Sequence, residues 1–460
     1  MAIDELHRAW ANLDQLERQE RYLVERLSHI HKAIEAQKLK IDDLRGPPAI
    51  DRLPTELLLQ IFALCIPDPK FPEKPLHRVV CVSRHWRDVV WNNASFWTSI
   101  KVTQMQRKKS LKKQLKRSRK ALLDIWIEDW DHTRKYDAHV KFSALLDVIV
   151  PHANCWRSLT IDTDSMGTEF VESILTELNY LSVPFLKEFS MDFGDNYDGR
   201  PYLVYPDFLS PTRTPALQHL ILKPPFQFDT FMALPTLKTL HLTFAEADSL
   251  PPVTSMLTPA QSLTSLALEG YGTGWSLKRN DLHLPFLEDL TLYLDGPIPF
   301  LETVVAPKLR NVECWIYDPV EFNTIEGKFR DVHVLSLVIC YQVDDRGAES
   351  LCHAFPGIRR VQLSAWDTSF FMAGSGVSER RPPIDQWPNL ETVTIGGLSR
   401  QWLDRWVSDD PIVKWLRGRQ ESGLSRLRVR LRQIKVDGED MLHIYYALLG
   451  RHCNLEMFTS

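Results

Sequence analysis

A short apolar pattern, Φ-x-x-Φ-x-Φ with Φ an apolar residue, recurs from Trp97 to Leu424. Alone it means little, because a chain that is 44% hydrophobic produces it by accident at about one position in twelve. Proline sharpens it. With Pro required two residues ahead, 29 prolines predict roughly two or three accidental matches, and eight are present, led by Pro184, Pro215, Pro235, Pro285, Pro299, Pro307, Pro356 and Pro388. Pro299 stands too close to Pro307 to lead a separate unit, which leaves seven, typified by PALQHLIL, PTLKTLHL and PFLEDLTL.

Proline-free copies fill the gaps: Trp97-Ile100-Val102, Leu122-Ile125-Ile127, Trp156-Leu159-Ile161, Leu263-Leu266-Leu268, Val332-Leu335-Leu337 and Leu424-Leu427-Val429. The copies then start at 97, 122, 156, 186, 217, 237, 263, 287, 309, 332, 358, 390 and 424, with gaps from 20 to 34, the spacing of leucine-rich repeats. Each short strand can bury its Φ residues only between its neighbours, so residues 98–460 are expected to stack into a curved solenoid with a parallel sheet inside. The Asn or Cys that usually follows the last Φ is missing and the gaps are uneven, so the array is irregular. Gly194 to Thr214 and Asp367 to Gln386, rich in Gly, Pro and Ser, read as edge loops. Because side chains alternate along a strand, Trp126, His241, Thr291, Glu313, Gln362 and Arg428 are placed on the concave side, with Tyr293, Trp315 and Trp366 nearby. Trp126, His241, Tyr293, Glu313, Trp315, Trp366 and Arg428 are the candidates for holding a protein target, since aromatic and Arg side chains dominate interface energies; the plainer alternative is packing on loops.

Residues 1–45 read as one helix. From Leu6 to Leu44 there is no Gly or Pro, and a seven-residue register places Leu6, Leu13, Glu20, Leu27, Ile34 and Ile41 at a and Ala9, Leu16, Leu23, Ile30, Gln37 and Leu44 at d. Ten of these twelve are apolar. The g-to-e′ pairs Glu5–Trp10, Asn12–Glu17 and Gln19–Val24 lack complementary charge, so a parallel dimer is weakly specified, and Trp10 and Val24 widen the stripe. Packing within the chain or standing free competes with self-association through residues 6–44. Gly46, Pro47 and Pro48 end the helix.

Residues 46–97 follow as a small helical block. Pro54 suits a first helical turn, and Leu57, Leu58, Ile61, Phe62 and Cys65 recur at three- and four-residue steps behind it. Pro67, Pro69, Pro72 and Pro75 make the connection non-helical; Leu76, Val79, Val80, Ser83, Trp86, Val89 and Val90 then give a second helical face. The order Leu53-Pro54-x-Glu56-Leu57-Leu58 with Ile61-Phe62, then Leu76-x-x-Val79-x-x-Val82-Ser83-Arg84-x-Trp86, closing on Phe96-Trp97, resembles the F-box. The resemblance covers about residues 50 to 97 and implies a three-helix unit docked on a Skp-type adaptor and, through it, on the cullin scaffold of a ubiquitin ligase. It makes Leu53, Pro54, Glu56, Leu57, Ile61, Phe62, Val82 and Trp86 the adaptor-contacting or supporting residues. The order of helix, F-box and degenerate repeats is similar to that of fungal F-box proteins. So small a unit buries too little surface to be stable alone, so its apolar faces need a neighbour.

The chemistry of the rest is sparse. No G-x-x-x-x-G-K-[ST], H-E-x-x-H or G-x-S-x-G occurs. Cys352-His353 and His452-Cys453 are adjacent pairs whose side chains diverge, and seven scattered cysteines without C-x-x-C read as reduced thiols. No catalysis, cofactor or metal is expected. The net charge of -4 gives no global attraction to nucleic acid or membrane, although Arg107 to Lys120 carries nine positive charges and no negative. With Leu111 and Leu115 at helical spacing, that run reads as a helix with a solvated basic face, or else a nuclear address or acidic-partner contact. The N-terminus MAIDELHRAW lacks a secretory pattern and no apolar stretch approaches a membrane span, so a cytoplasmic or nuclear place is expected. The expected function is a non-catalytic substrate receptor of an SCF-type ligase; the alternative is a scaffold that assembles partners without ubiquitin transfer.

Overall fold

Alternating apolar side chains on short strands hold the C-terminal part together. The computed structural model describes residues 2–45, 50, 53–66, 73–130, 138–162, 168–192, 207–223, 234–244, 254, 257–270, 277–316, 321–340, 345–372, 381–397, 410–432 and 445–458. The chain divides into two compact units, residues 1–96 and 97–460. In the second, fourteen strands form one sheet in strict chain order. They are β1 (Ser99–Val102), β2 (Leu123–Ile127), β3 (Trp156–Asp162), β4 (Glu188–Asp192), β5 (His219–Leu222), β6 (Thr239–Phe244), β7 (Ser265–Gly270), β8 (Asp289–Leu294), β9 (Asn311–Ile316), β10 (Val334–Cys340), β11 (Arg360–Ser364), β12 (Thr392–Gly396), β13 (Arg428–Arg432) and β14 (Asn454–Phe458). Every neighbouring pair is parallel, as stacked repeats require.

PTLKTLHL shows how one copy works. Pro235 and Thr236 turn the chain, Leu237 packs beneath the turn, and Leu240 and Leu242 enter the core from β6. Thr239, His241 and Thr243 alternate to the opposite, half-open face. In register across the ladder, Leu220, Leu240, Leu266, Leu290 and Val312 form one buried row. Helices in the connections complete the same core: the helix Lys108–Ser118 contributes Leu111 and Leu115, and the helix Ala138–Ile149 contributes Phe142, Leu145 and Ile149. The expected α/β architecture, a long helix followed by a parallel-stranded repeat array, is what the chain adopts.

Two local expectations change, and that for the basic run holds. Asp367 to Gln386 is not simply an edge loop: Thr368–Met372 is helical and Pro383–Gln386 is a 3₁₀ turn, and Phe371, Met372 and Ile384 are buried in the core. The strand β14 was not expected, because His452 occupies the first Φ position of its copy. The basic run forms α5 (Lys108–Ser118), with Leu111 and Leu115 buried and Lys108, Lys109, Lys112, Lys113 and Lys116 exposed, a solvated basic face. Gln114 on this helix donates to the Ser99 carbonyl at 2.6 Å. The Thr98 and Val102 carbonyls accept from the Asp124 and Glu128 amides, so alternation turns that of Ser99 to the free edge, where Gln114 satisfies it.

The first unit begins with α1 (Ala2–Arg45), 44 residues long. Its described side chains, Ile3 to Ile41, are all exposed, so the seam is left open among the described residues. α2 (Thr55–Leu64), α3 (Glu73–Val80) and α4 (Arg84–Asn92) follow. The second helical face expected through Leu76 to Val90 is split in two, because Ser83 is extended (φ -150°) and its Oγ accepts the Trp86 amide at 3.1 Å, capping α4. Pro75 sits in the first turn of α3 rather than in the connection, where its missing amide is harmless. Gly46, Pro47, Pro48, Pro67, Pro69 and Pro72 lie outside the described residues.

Candidate functional site

α2 is apolar on both sides, and only one side meets its own domain. Leu58 and Phe62, one turn apart, are fully buried with Leu76, Val79, Val89 and Val90. The Phe62 ring lies 4.7 Å from that of Trp86 at 51°, which fixes α4 against α2. On the opposite side Leu57, Ile61 and Leu64 follow at i, i+4 and i+7 and stand 45%, 37% and 86% exposed. Val82, in the break before α4, is exposed as well. Of the eight candidates, Pro54, Glu56, Leu57, Ile61 and Val82 are therefore outward, Leu53 and Trp86 half-buried, and Phe62 wholly internal. Phe62 and Trp86 support the surface rather than form it. Leu64 is a further outward residue, outside the positions that carry the F-box resemblance, although its seven-residue step from Leu57 marks it.

The open face of the sheet carries the second group. Its central row runs Lys101, Trp126, Thr160, Ser190, Ile221, His241, Ala267, Thr291, Glu313, Ser336, Gln362, Thr394, Arg430, Glu456. His241, Tyr293, Glu313 and Trp315, with Glu269 beside them, come together on β6 to β9. His241 Nε2 lies 3.3 Å from Glu269 Oε2, and that hydrogen bond holds the Glu269 carboxyl below its usual range. The Tyr293 hydroxyl donates to Glu313, and the Tyr293 ring stacks on Trp315 at 4.8 Å and 30°. Burial first, and the Glu313 bond second, push the Tyr293 phenol well up, so it remains a donor. Two stacked, half-buried aromatic rings edged by carboxylates result. Glu269 was missed because it lies one alternation beyond the Φ-x-Φ window.

The other candidates lie apart. Trp126 on β2 is four strands from His241, roughly 19 Å at 4.8 Å per strand. Trp366 is exposed in the turn after β11. Arg428 does not occupy the central row: it pairs in register with Thr392 and Asn454, two residues toward the start of β13, and Arg430 takes the expected place. The motif fits Leu427 and Val429, whereas Val429 and Leu431 are the inward pair, and a slip of two keeps the face and loses the row. Both arginines share Glu456, at 3.0 Å from Arg428 Nε and 2.8 Å from Arg430 Nε.

Elsewhere a cleft of about 880 Å³ opens between the helix Pro411–Glu421 and the 383–386 turn. Asp385 lines it, accepting from Trp415 Nε1 at 2.9 Å and from Arg419 at 3.3 Å. Among the described residues no three metal-ligating side chains converge. Burial raises the Cys352 thiol well above its ordinary value and pushes Cys453 up to about 11, the opposite of an activated nucleophile. No described helix is long and apolar enough to cross a membrane.

No curated protein matches the sequence. Among solved structures, the crystal structure of the Rad7 and Elc1 complex in yeast aligns with 12% identity over 92% of this chain and 97% of that one, at a TM-score of 0.31, too loose a likeness to carry an argument. The family model described as F-box-like matches residues 50–103, which span α2, α3, α4 and β1. With its Leu-Pro start, its Phe62–Trp86 core and its Ser83-capped last helix, this segment is an F-box-like domain at the head of a parallel-stranded repeat array.

Proposed function

We propose that the chain is a substrate-recognition subunit of an SCF-type cullin-RING ubiquitin ligase. In this reading the F-box-like domain docks on a Skp-type adaptor through Pro54, Leu57, Ile61, Leu64 and Val82, and the open sheet face holds a protein target. The carrying observation is the outward apolar side of α2: Leu57, Ile61 and Leu64 face away from the core that Leu58 and Phe62 complete. A helix that is apolar all round is normally buried all round, so a partner surface is wanting on that side. The chain itself makes and breaks no bond; it raises ubiquitin transfer by holding target and ligase together.

The test is adaptor binding by purified protein carrying Leu57→Ala with Ile61→Ala. Removing two half-exposed aliphatic anchors is expected to weaken binding by at least tenfold, about 1.4 kcal/mol, with little change in thermal unfolding. Unchanged affinity overturns the docking surface. Target capture followed with and without cullin activation then separates the receptor from a scaffold: bound proteins that accumulate when the cullin is blocked are ligase targets, and bound proteins indifferent to it make the chain an assembly scaffold.

A further inference from the structure

We infer that α1 pairs with α1 of a second copy of this chain in an antiparallel coiled coil, in the one register that sets Glu20 opposite Gln37. The seam demands a cover: Leu16, Leu23, Leu27, Ile30, Ile34 and Ile41 are between 41% and 62% exposed along one stripe, and an isolated helix draws little stability from propensity alone. Its interruptions choose the partner. Glu20 at a and Gln37 at d are the only polar residues of the seam.

A parallel pair would set Glu20 against the partner's Glu20 and Arg26 beside the partner's His31. In antiparallel pairing a layers meet d layers. Placing Glu20 opposite the partner's Gln37 puts Leu16 against the partner's Ile41, Leu23 against the partner's Ile34, and Leu27 against the partner's Ile30, each layer occurring twice. Every other layer in this stretch is then apolar on both sides. The two exceptions satisfy each other, the Gln37 amide donating to the Glu20 carboxylate, and a polar pair inside an apolar seam is what fixes register. The flanks agree: antiparallel helices oppose e to e and g to g, which brings Glu17 to the partner's Lys38, Val24 to the partner's His31, Gln19 to the partner's Lys40 and Arg26 to the partner's Ala33. Like charges meet nowhere among these. Lys38 now bonds Glu35 at 2.9 Å, an exposed contact that exchanges at little cost.

The pairing separates the two F-box-like domains. Each continues from the C-terminal end of its α1, and in this register those ends lie at opposite ends of the rod, roughly 50 Å apart at 1.5 Å per residue.

The experiment uses the full chain with Leu16→Cys or Ile41→Cys, treated with a short thiol cross-linker, the 16–41 product being identified by mass spectrometry against the background of exposed Cys65 and Cys81. Mixed variants are expected to cross-link between positions 16 and 41, and neither variant with itself, since like positions lie about 38 Å apart. Light scattering is expected to give twice the 53.3 kDa chain mass. Self-cross-linking of Leu16→Cys with a dimer mass overturns the orientation and leaves dimerisation standing; a monomer mass overturns both. Glu20→Leu with Gln37→Leu is expected to keep the dimer and raise like-with-like cross-linking at least threefold, and an unchanged pattern overturns the role given to the polar pair. None of these outcomes depends on adaptor binding.

Discussion

Phe62 and Leu57 share a helix and answer to different measurements. The Phe62 ring is fully buried against Trp86, so Phe62→Ala is expected to cost about 3 to 5 kcal/mol, enough to unfold so small a domain. Leu57→Ala is expected to leave thermal unfolding within about 1 kcal/mol of the parent while adaptor binding falls. Denaturant unfolding and adaptor titration on both variants check this; equal losses of stability would merge the two roles. Asp367 is a different kind of residue. Its Oδ2 accepts from the Ser364 amide at 3.2 Å and hydroxyl at 2.7 Å, while Oδ1 is buried without a partner among the described residues. Burial pushes the carboxyl up to about 6, against the pull of the Ser364 bonds. The folded pKa thus exceeds the unfolded value of about 3.9, the folded state holds the proton more tightly, and this carboxyl's contribution to stability is fullest below about pH 4 and declines as pH rises through about 6. Asp367→Asn is expected to flatten that decline and to raise the melting temperature at pH 8. Melting curves from pH 3.5 to 8 with parent and variant running parallel would sink the assignment.

At the scale of elements, inward and outward positions of one strand separate folding from recognition. Leu240→Ala is expected to cost about 2 to 5 kcal/mol, because the buried row on β6 cannot collapse around a missing isopropyl group. His241→Ala, one residue on, is expected to spare the melting temperature and to lower target capture by at least fivefold, about 1 kcal/mol. Stability and capture measured on both variants decide it; if His241→Ala and Trp126→Ala both leave capture intact, recognition lies off this face. The strands were legible because Φ-x-Φ alternation is a local signal, and thirteen of the fourteen copies could be placed from it. What failed was what alternation does not carry. A slip of two residues costs nothing in the pattern, so Arg428 stood in for Arg430; one His at position 452 hid β14; the Ser83 cap split a stripe that periodicity alone reads as continuous. The gathering of His241, Glu269, Tyr293 and Glu313 was only half legible, because contacts between strands 20 to 30 residues apart depend on a register that no single strand encodes.

Across the whole repeat unit, each strand touches only the one before and the one after, so stability is close to a sum of neighbour terms. Removing residues 454–458 is therefore expected to loosen β13, whose Val429 and Leu431 lose one flank, and to leave amide protection in β2 to β9 unchanged in hydrogen exchange. Loss of protection throughout would show a cooperative block instead. Strict order also bears on how the chain is made. A new strand leaves the ribosome every few seconds, at about 5 to 20 residues per second. Its partner is already folded and waiting, with nothing still to be synthesised between them. The array can harden in step with translation, one strand at a time, and at every moment the only sticky margin is the strand most recently laid down. That margin moves along the nascent chain and closes behind itself, which limits how much unpaired backbone a crowded polysome ever exposes.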